Sequence, residues 1–153
     1  YYGVKLEEGS PESFVLDSFR ISTRAVAVTN NKLLMVTSDN WEHWCAPGGM
    51  VEYDEDVMTT ATREVLEETG LKARSIAVVA VDEFFSPKHG HHGINLYTRC
   101  AVAEDTAPAE WCDPDNGKIV RPAFLSRQQL AALPRAYPVY MAELAWPEKG
   151  GVA

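Results

Sequence analysis

Residues 49–71 read GMVEYDEDVMTTATREVLEETGL, a glycine-led turn followed by a run with helical spacing. That spacing predicts a helix over 55–69, with Asp54 placed to cap its first turn and Gly70 placed to end its last. At about 100° per residue, Glu64, Glu67 and Glu68 fall within an arc of about 100°. Val57, Met58, Ala61 and Val65 form the adjacent apolar arc, so one flank is buried and the next gathers carboxylates. Glu64 lies three and four residues before Glu67 and Glu68, a spacing at which like charges repel by ~0.2–0.5 kcal/mol per pair. A hard divalent cation offsets such repulsion, because Mg²⁺ prefers oxygen ligands and commonly bridges carboxylates to substrate phosphates. A solvated acidic face is the plain alternative for any helix with three glutamates.

Upstream, residues 21–28 and 33–37 are β-rich runs around Thr29-Asn30-Asn31-Lys32. They read as a hairpin, because Asn tolerates the left-handed turn conformation. Ala46-Pro47-Gly48-Gly49 is a breaker cluster, followed by a short extended piece at 50–52. Downstream, residues 73–85 read as a strand, 87–93 as a Gly/His loop and 94–103 as another strand. Asn116-Gly117 marks a turn before a strand at 118–124. Ser126 and Gln129 resemble a capping box opening a helix through Leu133, and 137–146 reads as a second helix. Strands, one acidic helix, more strands and then helices make an α/β chain: a mixed sheet with helices on its faces.

The 153 residues fit one domain, 1–153, and 46% hydrophobic with 24% charged residues is ordinary globular composition. The net charge of −8 argues against a nucleic-acid polymer as partner, because such surfaces carry a clustered basic face. Small anionic ligands fit only with a cation to bring them in, and 52–68 holds seven acids against Arg63, a net −6. No apolar stretch approaches the ~20 residues of a membrane span, and the first ten residues lack a secretory signal pattern. Cys45, Cys100 and Cys112 are odd in number and widely spaced, which suits neither a disulfide framework nor a paired zinc site and points to a reducing cytoplasm.

The stretch at 49–71 matches G-x5-E-x7-R-E-U-x-E-E-x-G-U, where U is apolar, at Gly49, Glu55, Arg63, Glu64, Val65, Glu67, Glu68, Gly70 and Leu71. Average residue usage puts a chance match of the seven fixed positions on the order of 10⁻⁹ per start. The sequence therefore resembles the Nudix family, over 23 of 153 residues for the box and over the Trp44-Cys45-Ala46-Pro47-Gly48-Gly49 approach. Ala46 departs slightly, since family members often carry a larger apolar residue there.

The resemblance implies a Nudix fold, an α/β/α sandwich with a central mixed sheet, and hydrolysis of a pyrophosphate bond in a small nucleotide substrate. It implies that Glu64, Glu67 and Glu68, with the carbonyl of Gly48, hold Mg²⁺ or Mn²⁺. Glu55 and Arg63 would brace the box, and Gly49 and Gly70 would supply its turns. Glu64 is the first candidate for the base that takes a proton from water, and Glu110 in a later loop is the second, with Glu104 and Asp113 as alternatives. Pro87, sixteen residues after Leu71, resembles the placement of a proline in the family's ADP-ribose pyrophosphatases.

Trp44 and Phe85 are further substrate-contact candidates, although Trp44 reads equally well as core and one ring of Phe84-Phe85 should face inward. His89, His91 and His92 could contact metal or phosphate, but nothing nearby completes a tetrahedral set. Cys45 as a nucleophile lacks a base beside it. The substrate reads as a nucleoside diphosphate linked to another group, of ADP-ribose or nucleotide-sugar type. The alternatives are nucleoside triphosphate pyrophosphohydrolysis and a non-catalytic nucleotide-binding module, and a homodimer is compatible with all three.

Overall fold

A computed structural model describes residues 18–87 and 90–148. The chain opens with β1 (Ser18–Thr29) and β2 (Lys32–Thr37), which pair antiparallel across Asn30 and Asn31, at φ 50° and 63°. Two consecutive left-handed residues are what a tight right-twisted hairpin requires, and asparagine adopts them at low cost. Short strands β3 (Trp44–Cys45) and β4 (Gly48–Met50) lead into the helix α1 (Val57–Thr69). Then come β5 (Ala73–Ser86), β6 (His91–Val102), β7 (Trp111–Cys112), β8 (Ile119–Ser126), α2 (Arg127–Ala131), β9 (Ala136–Tyr137) and α3 (Met141–Ala145).

The sheet is mixed, with β1 and β6 parallel along most of their length, β5 antiparallel to β6, and β2 antiparallel to β8 and β3. β4 pairs antiparallel with β1 at Ser22, Thr23 and Arg24, which brings the loop ahead of the helix onto the centre of the sheet. The alternation along β1 builds both layers. Ala25 and Ala27 pack with Ala61 and Val65 of α1, while Val26 joins Leu33, Met35, Leu130 and Met141 under α2 and α3. The α/β/α sandwich expected from the sequence is the observed fold.

Several local expectations are corrected. The helix begins at Val57, and its cap is Asp56, whose carboxylate accepts from the Thr59 N–H at 2.7 Å. Asp54 instead takes a left-handed turn position at φ 71°. The stretch read as a loop over 87–93 is shorter, because Ser86 already pairs with His91 and β6 runs through Gly93. The capping box of Ser126 and Gln129 is present, on a helix that ends at Ala131. Of 137–146 only Met141–Ala145 is helical, since Ala136 and Tyr137 pair with β3.

Candidate active site

The acidic face of α1 is held by a ring of charged bonds. Arg63 Nε donates to Glu55 at 2.6 Å, and its Nη2 reaches the same carboxylate at 2.9 Å, a two-pronged pair that ties the turn to the helix. Thr60 adds a third donor at 2.6 Å. The Arg63 guanidinium, with Thr60, holds the Glu55 carboxyl down at about 2. Nη1 of the same arginine donates to Glu67 at 2.7 Å and Glu64 at 3.1 Å.

Glu68 is placed differently. One of its oxygens accepts the Gly48 N–H at 2.7 Å, and burial pushes its carboxyl up to about 8, helped by Glu64 and Asp113 and opposed by Gly48 and Arg24. Burial also raises Glu64, with Glu67 and Asp113 adding to the rise and Arg63 opposing it. Gly49 is packed so tightly on this cluster that a Cβ would stand 2.3 Å from the Glu64 carboxylate. At the other end of α1, Gly70 takes φ 77° and the Trp111 ring covers it, while the indole N–H donates to the Glu67 carbonyl at 2.8 Å.

Three half-buried carboxylates share one helix face, and the guanidinium bonded to two of them leaves Glu68 without a bonded cation among the described residues. That hard, under-compensated oxygen donor set fits a divalent cation such as Mg²⁺. Among the described residues no group of three acid, imidazole or thiol side chains already converges on one point. Repulsion and the pull of Arg63 account for that, because Glu64 and Glu67 turn toward the guanidinium and Glu68 toward Gly48.

A cleft of about 480 Å³ opens beside this cluster. Its floor is Arg20, Ser22 and Arg24 of β1 with Asn95 and Tyr97 of β6 and Asp82 and Phe84 of β5. Gly49 and Met50 bound one side and Tyr137 and Pro138 another. Gly49 and Arg24 belong to both regions, since Gly49 backs Glu64 and Arg24 acts on Glu68. Asp82 anchors the floor, its Oδ2 accepting from the hydroxyls of Tyr97 at 3.0 Å and of Tyr140, while Oδ1 is buried and accepts nothing among the described residues.

The sequence candidates fall unevenly around this site. Glu55, Arg63, Glu64, Glu67, Glu68, Gly48 and Gly49 are brought together. Glu110 stands outside, exposed and paired with Arg121 at 2.8 Å, whereas Asp113, three residues on, is 6% exposed and acts on both Glu64 and Glu68. Asp113 follows Trp111, whose ring docks on the end of α1, and its Oδ1 accepts the Asp115 N–H at 2.8 Å within its own loop.

Phe84 lines the cleft, and Phe85 is 69% exposed on the opposite face, edge-on to His92. Pro87 is exposed at the end of β5, away from the cleft lining. Trp44 is half-buried and packs against the core under α2 and α3. His91 meets Arg20 at 3.1 Å and His92 meets Glu83 at 2.6 Å, on opposite faces of β6, and His89 lies outside the described residues. Burial raises the Cys45 thiol, which suits a core residue and not a nucleophile. Arg20, Arg24, Asp82, Asn95, Tyr97 and Tyr137 were not singled out by sequence reasoning. The alternation of Arg20, Ser22 and Arg24 along one strand was the available signal.

A family model for the NUDIX domain matches residues 18–144. A protein of Xenopus laevis named nucleoside diphosphate-linked moiety X motif 6 is 32% identical over 89 residues, 54% of this chain and 39% of that protein. The chain thus spans about two fifths of the length of that relative. Among solved structures, a NUDIX hydrolase from Nitrosomonas europaea superposes with a TM-score of 0.62 at 23% identity, over 76% of this chain and 78% of that one. A UDP-X diphosphatase gives a TM-score of 0.61 at 20% identity, over 87% of this chain and 64% of that one. At these identities the two structures share the fold.

Proposed function

Because the chain belongs to the NUDIX family of hydrolases, we propose that it is a Mg²⁺-dependent enzyme that splits the pyrophosphate bond of a nucleoside diphosphate linked to a second group. The observation that carries the reading is the junction at Gly49, where the Glu64–Glu67–Glu68 face meets a cleft with two arginines on its floor. An acidic face alone repels a diphosphate, and the arginines alone hold it without breaking it. The name of the Xenopus laevis relative, a nucleoside diphosphate-linked moiety X motif protein, supports the same substrate class.

Glu64, Glu67 and Glu68 would hold the cation, which when bound would neutralise the diphosphate and make water easier to deprotonate. Arg63 braces the set through Glu55. Glu64, its proton affinity raised by burial, takes a proton from the attacking water as the new P–O bond forms and the bridging P–O bond breaks. Asp113, a buried acid whose charge acts on Glu64, is the second candidate to receive that proton. Arg24 and Arg20 orient the phosphates along β1. The leaving phosphate departs as an anion and needs no proton from the protein.

The described residues hold three unpaired cysteines, in keeping with a reducing compartment, and no helix long and apolar enough to cross a membrane. The test is incubation with Mg²⁺ and a panel of ADP-ribose, nucleotide sugars, dinucleotides and nucleoside triphosphates, with products identified by mass. Paired monophosphate products from the diphosphate-linked compounds support the reading. Release of pyrophosphate from the triphosphates alone would replace it with the triphosphate alternative.

A further inference from the structure

The flat face in the cleft comes from a glycine. Phe84 of β5 and Gly93 of β6 are cross-strand partners, and a Cβ built on Gly93 would lie 2.6 and 2.7 Å from the Phe84 ring carbons Cε1 and Cζ. The ring therefore lies down over β6 in the space a side chain would fill, as an aromatic does beside a glycine in a sheet. The Arg20 carbonyl, 2.5 Å from the same point, closes the other side. A phenylalanine kept only for packing is covered on both faces, yet Phe84 is half-buried and lines the cleft.

Tyr137 is the second ring on the same cleft. It is 47% exposed but already braced, edge-on to His43 with ring centres 5.3 Å apart. His43 in turn stacks on Trp41 at 5.3 Å with an interplanar angle of 3°. Asp82, through Tyr140, ties the segment after Tyr137 to the floor. Asn95 and Ser22 offer amide and hydroxyl groups beside the rings. A planar, apolar-faced body with a hydrogen-bonding edge matches these surfaces, and a bare sugar or an inositol does not.

We infer that Phe84 is the surface on which the substrate's nucleobase stacks, with Tyr137 as a further ring on the same cleft. The inference rests on the nucleotide reading above and adds where the base goes. A nucleoside stacked there has its phosphates directed along Arg20 and Arg24 toward Gly49, where the carboxylates stand. Phe84 is then the specificity residue that favours nucleotide diphosphates over diphosphates lacking a base.

Calorimetric binding of AMP and of ribose 5-phosphate to the whole chain in Mg²⁺ buffer isolates the base from the phosphate. The wild-type protein is expected to bind AMP tighter by roughly 5- to 150-fold, the range of one base–aromatic stack. Phe84→Leu keeps bulk without a flat face and should lose most of that gap with its melting temperature unchanged. Phe84→Tyr should keep it. Equal binding of the two ligands by the wild type, or a gap that survives in Phe84→Leu, overturns the inference. Cleavage of ADP-ribose without any preference for AMP over ribose 5-phosphate overturns this inference alone. A preference lost in Phe84→Leu, in a protein that cuts no pyrophosphate bond, supports the stack and overturns the hydrolytic reading.

Discussion

Glu68→Gln in the metal-free protein separates a buried ligand carboxylate from a solvated surface acid. The carboxyl is pushed up from 4.5 to about 8, chiefly by burial. Between those values the folded protein keeps a proton that the unfolded chain has lost, so this group's contribution to stability falls as pH rises through the window. At pH 7 the unfolded carboxyl is about 2.5 pKa units past its midpoint, and each unit corresponds to about 1.4 kcal/mol, or about 3 kcal/mol in all. Solvent reaches part of the side chain, which lowers the expectation to about 2 kcal/mol.

Glutamine keeps an oxygen for the Gly48 N–H and removes the ionisation. Chelator-treated Glu68→Gln should therefore melt about 4–8 °C above wild type at pH 7 and together with it at pH 4.5. With saturating Mg²⁺ the order should reverse, because a ligand at one hundred times its Kd stabilises by ~2.7 kcal/mol and the variant forfeits most of that. Calorimetric melts of both proteins at the two pH values, with and without Mg²⁺, give all the differences. Equal melting temperatures at pH 7 without metal would refute the burial argument, and an equal Mg²⁺ shift would remove Glu68 from the ligand set.

Four further expectations concern this face and the loop beside it. Glu55→Gln should cost about 2 kcal/mol at pH 7, and the difference from wild type in urea melts should shrink as pH falls from about 4.5 toward 2, because a depressed carboxyl stabilises only above its folded pKa. It should also lower turnover less than Glu68→Gln, which steady-state kinetics will read. Gly70→Ala should destabilise by about 1–2 kcal/mol or more, since a Cβ there meets both the left-handed backbone and the Trp111 ring at 2.7 Å. Gly49→Ala should leave stability nearer wild type but depress kcat, because its Cβ displaces the end of the Glu64 side chain, and urea melts beside kinetics distinguish the two. Asp113→Asn should lower kcat and shift its pH profile, whereas Glu110→Gln should change neither, and matching losses would show that the loop is read wrongly.

The box was legible because its residues interact within about twenty positions of one another, so helical spacing places Arg63 against Glu55 and gathers the glutamates without knowledge of the sheet. The hairpin at Asn30-Asn31 was legible for the same local reason. What failed depended on distant contacts. Asp54 and Asp56 are equal as cap formers in sequence, and the choice between them follows from Glu55 being drawn to Arg63, eight residues on. Which phenylalanine faces the cleft depends on the register that sets Phe84 opposite Gly93, and Gly93 looks like a loop residue until β6 is seen to run through it. That Asp113 is buried while Glu110 is exposed and paired with Arg121 follows from how the loop packs after Trp111 docks on the end of α1, which no local pattern encodes. The cleft itself joins β1, β4, β5, β6 and β9, strands whose neighbourhood no local pattern encodes.

The most direct test of the central claim is the mass of the products formed from ADP-ribose in Mg²⁺ buffer and in excess chelator, run in ¹⁸O-labelled water. The account predicts AMP and ribose 5-phosphate, one of them carrying a single heavy oxygen, with Mg²⁺ and no cleavage in chelator. A nucleotide sugar cut in the same way while ADP-ribose is spared would keep the claim and narrow the substrate. Undiminished cleavage in chelator, or intact substrate throughout the panel with Mg²⁺ present, would contradict it.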